Sequence, residues 1–251
     1  MPVLFIGHGS PENALGKNEF NIIWGKIARE IPKPELILCI SAHWMTRGAT
    51  AVSSAKTLKT IHDFYGFPKE LYRLNYDVQG SPKQAAEIAG LIKSDQAELD
   101  NQWGIDHGAW VVLMNMYPEK TIPVLQLSLN LDLPLHKCFA IGEELSGLRE
   151  QGVLILGSGN LVHNLMMFNP EEEPFPWAVE FDGFVKNKLN EKDYRALIDY
   201  RKQKTAAISH PTDDHYRPFI YAIGAAKGET PRFFTEKIVF GSVGMRGAIF
   251  S

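Results

Sequence analysis

Imidazole serves two kinds of work near neutral pH, binding a divalent metal through a neutral ring nitrogen and moving protons, because its pKa lies close to that of the medium. The chain carries eight histidines, and their placement says more than their number. His8 follows the apolar run "PVLFIG", His43 ends "LILCISAH", and His163 comes shortly after "VLILGSG". In open α/β sheets ligands gather beyond the carboxyl ends of the strands, so histidines placed there converge from positions far apart in sequence. A fourth element, "SHPTDDHYRP" at 209–218, offers His210, Asp213, Asp214 and His215 just ahead of a helical pattern.

One histidine beside a strand is most often a hydrogen-bonded structural residue. Repetition at equivalent places is what turns the reading toward a metal centre. Each of the three also has small neighbours: Gly7 and Gly9 around His8, Ser41 and Ala42 before His43, and Gly157, Ser158 and Gly159 before His163. Glycine permits the close approach a crowded imidazole site needs. Phosphate cradling is the other use of such glycines, but "GHGSP" and "GSGN" lack the lysine of a P-loop and the full G-x-G-x-x-G pattern. The Thr-Asp-Asp stretch reads as a helix cap in its own right, whereas His215 enters the first turn and is able to point at the site.

These residues need a sheet to deliver them. Apolar runs at 2–7, 35–43, 122–129, 153–159 and 237–244 lack polar alternation, which suits strands buried on both faces. Helix-like spacing occupies 18–30, 81–93, 108–117, 135–150 and 215–226. The alternation predicts an α/β fold, a single domain over residues 1–251 with a central, mostly parallel sheet flanked by helices. Residues 165–178 read as an irregular connection and 193–206 as a polar surface helix.

Composition sets the outer bounds. With 251 residues, 45% hydrophobic and 22% charged, the chain falls among ordinary globular proteins. A net charge of -3 with scattered Lys and Arg gives no basic footprint, so neither nucleic acid nor a membrane surface is expected as a partner. Cys39 and Cys138, the two cysteines, form no metal-binding spacing and read as core thiols of a reducing compartment. No secretory pattern opens the chain and no run approaches the ~18 apolar residues of a membrane span, so a cytoplasmic location is expected.

Taken in order, "GHGSP", "SAHW", "IHDFYGFPKELY", "GIDHGAWVVLMNMYP", "QLSLN", "SGNLVHNL" and "HPTDDHYRPFIYAIGA" resemble the DOPA-dioxygenase type of class III extradiol ring-cleaving dioxygenases, within the LigB-like superfamily. The resemblance runs from residue 3 to about 228. It implies that His8, His43 and His215 bind a divalent metal, that His163 is the acid/base residue, that His107 of "GIDHG" faces the substrate or supports the site, and that His62 of "IHDF" borders the pocket. Whether His163 also ligates the metal at rest stays open. His210 is left outside the site.

Most class III relatives use two His and one Glu; here the third position resembles His215. Three neutral imidazoles leave the metal's charge uncompensated, which favours an anionic catecholate and also makes the site attractive to zinc. Because the implied reaction needs an electron-donating metal to engage O2, Fe(II) is the expected working metal, and Zn(II) is an ion expected to be found bound. The implied reaction opens a catechol with O2, with His163 taking and returning the proton. Trp44, Phe64, Tyr65, Phe67 and Trp110 are candidates for an apolar wall, although aromatic residues near strands are usually core. An amino-acid catechol needs a cationic partner for its carboxylate, and Arg47, Arg217 and His62 are the residues to place. Two other readings remain at this stage: a zinc-dependent hydrolase, and a non-catalytic metal- or ligand-binding protein like the Memo-like members of the superfamily.

Overall fold

The computed structural model describes residues 1–171 and 173–251. The first strands are β1 (Val3–Gly7), β2 (Leu36–Thr46), β3 (Thr50–Ser53), β4 (Thr57–Leu58), β5 (Val78–Gln79) and β6 (Ala97–Asp100). They are followed by β7 (Val124–Asn130), β8 (Val153–Gly159), β9 (Pro231–Phe234), β10 (Ile238–Val239), β11 (Val243–Gly244) and β12 (Gly247–Phe250). The helices are α1 (Glu19–Glu30), α2 (Pro82–Leu91), α3 (His107–Met116) and α4 (Leu135–Leu145), then α5 (Pro176–Asn190), α6 (Tyr194–Ile198), α7 (Ala206–Ser209) and α8 (Arg217–Ala225).

Eight strands build one sheet in the order β6-β3-β7-β2-β8-β1-β12-β9. Its centre, β7, β2, β8 and β1, is parallel throughout. The antiparallel pairings lie outside it, between β3 and β7 on one side and along β1, β12 and β9 on the other. Successive side chains of a strand point to opposite faces. Val3, Phe5, Leu36 and Leu38 accordingly enter one core with Cys138 of α4, Phe181 of α5 and Phe219 of α8. Leu4, Ile6, Ile37 and Cys39 enter the other with Trp24 of α1 and Trp110 of α3. The expected α/β architecture, a mostly parallel sheet flanked by helices, is the one present.

Parallel pairing brings the carboxyl ends of β1, β2 and β8 to one edge. Gly7 lies opposite Gly159 and Ser41 opposite Ser158. His8 leaves the sheet directly after Gly7, while His43 lies in β2 where its register with β7 shifts between Ile40 and Met45.

Three local expectations need correction. The run 237–244 is not a strand of the main sheet; it splits into β10 and β11, which pair with each other, because the chain turns through left-handed backbone at Phe240 (φ 51°) and Gly241 (φ 71°). The strand that does join the sheet is β12, beside β1. The 165–178 connection contains a short 3-10 turn at Leu165–Met167 and ends in the first residues of α5. The 193–206 stretch is broken rather than one surface helix: α6 buries Leu197 and the next turn buries Tyr200. Both cysteines are free and buried. Among the described residues, no helix is long and apolar enough to cross a membrane.

Candidate metal centre

His8 is fixed from several sides. Its backbone N–H donates to Gly159 O at 3.1 Å, and its own carbonyl accepts from Asn13 Nδ2 at 2.9 Å. The ring's Nδ1 lies 3.0 Å from Ser158 Oγ, and Ser158 Oγ donates to Gly108 O at 2.5 Å. A hydroxyl has one proton to give. Ser158 spends it on Gly108, so it accepts from His8 Nδ1–H, and His8 Nε2 keeps its lone pair. His43 has Nδ1 facing Asp63 Oδ2 at 3.4 Å, and the carboxylate favours the proton on that nitrogen. The two Nε2 atoms face each other 3.2 Å apart.

His107 opens α3 and owes its position to Asp106, the helix N-cap. This buried carboxylate accepts from Ala109 N at 3.2 Å, Ser41 Oγ at 2.6 Å and Gln126 Nε2 at 2.7 Å. Burial, with the charge of Asp63, raises its pKa, and the Ser41 and Gln126 hydrogen bonds oppose that rise. His107 N–H donates to Asp63 Oδ1 at 2.9 Å; its Nδ1 lies 3.0 Å from Asp63 Oδ2 but out of line for a hydrogen bond. The next residue must be glycine: a Cβ on Gly108 would stand 2.5 Å from Ser41 Oγ and 2.8 Å from His43 Cδ2.

His215 arrives from the segment before α8. Its carbonyl accepts from Asn160 N at 2.9 Å, and a Cβ on Gly159 would lie 2.2 Å from the same oxygen, so a bare backbone in β8 admits the α8 segment. Its Nδ1 donates to Asp214 Oδ2 at 2.5 Å. His163, held through its backbone N–H to Ser209 O at 2.9 Å, lays its ring flat on His215 with centroids 3.5 Å apart and planes 5° from parallel.

Five histidines therefore line one cavity: His8, His43, His107, His163 and His215. The rings of His8, His43 and His215 form a nearly even triangle, with centroids 5.1 Å, 5.1 Å and 5.3 Å apart. By nitrogen spacing the third member is His107: among the described residues, His8, His43 and His107 each present a ring nitrogen within 4.8 Å of the other two, whereas His215 joins through its ring centroid. Two nitrogens bound to one ion at ordinary metal–imidazole lengths are separated by about 3.0–3.4 Å. The 3.2 Å between His8 and His43 falls in that interval. Burial first, and then the neighbouring histidines, push the pKa values of His8 and His43 well below the usual imidazole range, which keeps both rings neutral. Lone pair facing lone pair is unfavourable without a cation between them, so the donor set fits a divalent metal.

Other residues fall elsewhere. His62 is not among the cavity's lining residues; its Nε2 meets Leu74 O at 3.0 Å, and its ring stands behind Phe64, which in turn touches His107. His210 lies outside the site, buried against Phe181, Tyr200 and Tyr216, with Nε2 on Leu161 O at 2.8 Å. Of the proposed aromatic wall, Phe64, Tyr65 and Phe67 line the cavity, whereas Trp44 stacks on Trp103 and Trp110 is core. The aspartates before α8 do not cap it through their side chains; Asp213 grips Arg217 and Asp214 holds His215. Sequence reading took Ser158 only as a small neighbour of His163, and missed Asp63, Asp106 and the supporting role of Asp214. Adjacency to histidine was the only signal for Asp63, Asp106 and Asp214.

Comparison with known proteins decides the family. The family described as the catalytic LigB subunit of aromatic ring-opening dioxygenase matches residues 2–251. The chain belongs to the LigB family. Similar to this LigB-family enzyme is the 4,5-DOPA dioxygenase extradiol of Escherichia coli K12, 40% identical over 98% of this chain and 93% of that one. The protein of the same name from Beta vulgaris is 37% identical over 88% of this chain and 85% of its own. The crystal structure of an uncharacterized protein from Escherichia coli K12 superposes with a TM-score of 0.88 at 35% identity, covering 100% of both chains. The enzyme is thus an aromatic ring-opening dioxygenase of a family that uses a non-haem metal, and its histidine cluster fits such an ion.

Proposed function

We propose that this LigB-family enzyme opens a catechol beside its hydroxyl pair, adding both atoms of O2, with Fe(II) held by His8, His43 and His215. When bound, the ion supplies the electrons and the vacant positions that let O2 meet the diol. The names of the relatives, both 4,5-DOPA dioxygenase extradiol, support a catechol ring. The observation that carries the reading is the pair of Nε2 lone pairs 3.2 Å apart at the edge of a parallel sheet. His215 is preferred as third ligand because, like His8, it has Nδ1 committed to a fixed acceptor, which leaves Nε2 for the ion.

The chain's own groups handle protons and position. Burial, together with the charge of His215, pushes the His163 pKa well below the usual range, so its ring is a free base at neutral pH. It accepts a proton from the catechol hydroxyl and returns it when the ring opens. Stacking on His215 fixes its plane beside the metal ligands. His107, steadied by Asp63, stands against Phe64 where the ring of the substrate would lie. His62 contributes by backing Phe64 rather than by touching substrate. Residues 1–251 act as one catalytic unit, working in the cytoplasm, where Cys39 and Cys138 stay reduced. Zn(II) competes for the same nitrogens, and its presence after purification is compatible with an iron enzyme.

Anaerobic loading with Fe(II), followed by oxygen uptake on addition of a catechol, tests the reading. One O2 should be consumed per ring opened, with a yellow semialdehyde product. His163→Ala should keep its metal and lose about 100-fold or more of the ring-opening rate. A zinc-loaded protein that hydrolyses substrates and consumes no oxygen would overturn the proposal.

A further inference from the structure

The cavity over the histidine cluster has a volume of 620 Å³ and is walled mainly by apolar groups. Sites of about 300–1,000 Å³ enclose ligands larger than one bare ring. The cavity therefore has room for a ring substituent extending from the buried imidazoles toward the mouth. His8, His107 and His215 are at most 6% exposed, whereas Tyr65, Leu165 and Phe168 are 90%, 63% and 56% exposed and mark the rim. Among the described residues, no lining side chain is Lys or Arg; the lining carboxylates are Asp63, beside His43 and His107, and Glu12, which is exposed at the rim.

The cations that sequence position suggested for a carboxylate tail are engaged elsewhere. Arg47 pairs with Asp132 at 2.7 Å on the surface. Arg217 is buried, gripping Asp213 at 2.8 Å and the carbonyls of Asn130 and Leu133. His62 is spent on Leu74 O. Lys237, in the neighbouring depression that Glu12 also borders, pairs with Glu19 at 2.5 Å.

Resting on the catechol reading, we infer that the substrate's tail is uncharged or cationic rather than anionic, and that Glu12 at the apolar mouth sets this preference. A carboxylate tail passing Glu12 meets like charge with no cation to answer it. An ammonium tail finds a partner there, and an ester or amide tail loses nothing.

Three catechols with one ring and one tail length test this: a propanoate, its methyl ester and the matching propylamine. The propylamine and the ester should exceed the propanoate in kcat/KM by about fivefold or more, a difference that shrinks with added salt. Glu12→Lys should move the propanoate-to-propylamine ratio toward the propanoate by about tenfold. A propanoate opened as well as the amine, or a ratio unmoved in Glu12→Lys, overturns the inference. Oxygen uptake with none of the three would sink the catechol reading instead. The same ratios read from calorimetric Kd values would still support or overturn the charge preference.

Discussion

Removing the acceptor behind His215 separates the two histidines that compete for the third ligand position. Asp214 Oδ2 accepts a hydrogen bond from His215 Nδ1–H at 2.5 Å. Burial works to raise the Asp214 pKa, but hydrogen bonds from His215 and Thr212 outweigh it and hold the carboxyl well below its usual range, so it stays ionised. A hydrogen bond to a charged group is worth about 1.5–3 kcal/mol, or roughly 10–150-fold in an equilibrium constant. Loss of the group behind a metal-bound histidine typically costs about 10–100-fold in affinity. Asp214→Ala should therefore weaken Fe(II) or Zn(II) binding by about 10–100-fold, measured anaerobically by competition with a chelator. Asp214→Asn keeps an acceptor oxygen without the charge and should lose less. His107→Ala should keep its metal. A folded Asp214→Ala protein that binds metal within about threefold of wild type, alongside a His107→Ala protein that does not bind it, would refute His215 and install His107 as the third ligand.

Two further perturbations follow from packing and burial. Gly108→Ala places a methyl group 2.5 Å from Ser41 Oγ, itself tied to Asp106, and 2.8 Å from His43 Cδ2. Urea unfolding should report a loss of about 1–3 kcal/mol and metal affinity should fall with it, and unchanged values of both would contradict the close approach. His210 is buried, with no partner for Nδ1 among the described residues, and burial pushes its pKa down to about 4. The unfolded chain takes this proton first, so His210's contribution to stability is complete above about pH 6.5 and is lost as pH falls toward 4. Between about pH 7 and pH 5 the loss is roughly 2 kcal/mol. His210→Phe should show a pH dependence of stability shallower by about that amount, and an identical slope would refute the burial argument.

The sheet was legible where burial is two-sided. The four central strands are buried on both faces almost throughout, and each was visible as an apolar run, although β7 alternates Leu125, Leu127 and Leu129 with the buried polar Gln126, Ser128 and Asn130. The edge strands were not. β6 is partly exposed along its whole length and β9 opens on a proline, so neither carries an apolar run. The hairpin at 237–244 shows the opposite failure, because its apolar composition matches a buried strand while the left-handed pair Phe240 and Gly241 breaks it in two. Helix α5 escaped notice because the proline and glutamate cluster ahead of it drew the reading toward an irregular loop, although Pro176 sits at a helix start where proline is tolerated.

The histidines were legible because strand ends are where a parallel sheet collects ligands. Their division of labour was not, since it depends on what stands behind each ring. Ser158 settles the tautomer of His8 only because its proton is already committed to Gly108, a contact 50 residues away in sequence. Asp63 serves His43 and His107 together, and Asp214 serves His215. These carboxylates also change the electrostatic expectation drawn from three neutral ligands. A divalent ion bound by imidazoles alone would present its whole charge to the substrate. On the ligand set proposed above, Asp63 and Asp214 would stand behind the rings and offset part of it, moderating the attraction for a catecholate and placing more of the proton removal on His163. The proposed all-histidine set, backed by Asp63 and Asp214, would thus be electrostatically closer to a set containing one carboxylate ligand than its residue types suggest.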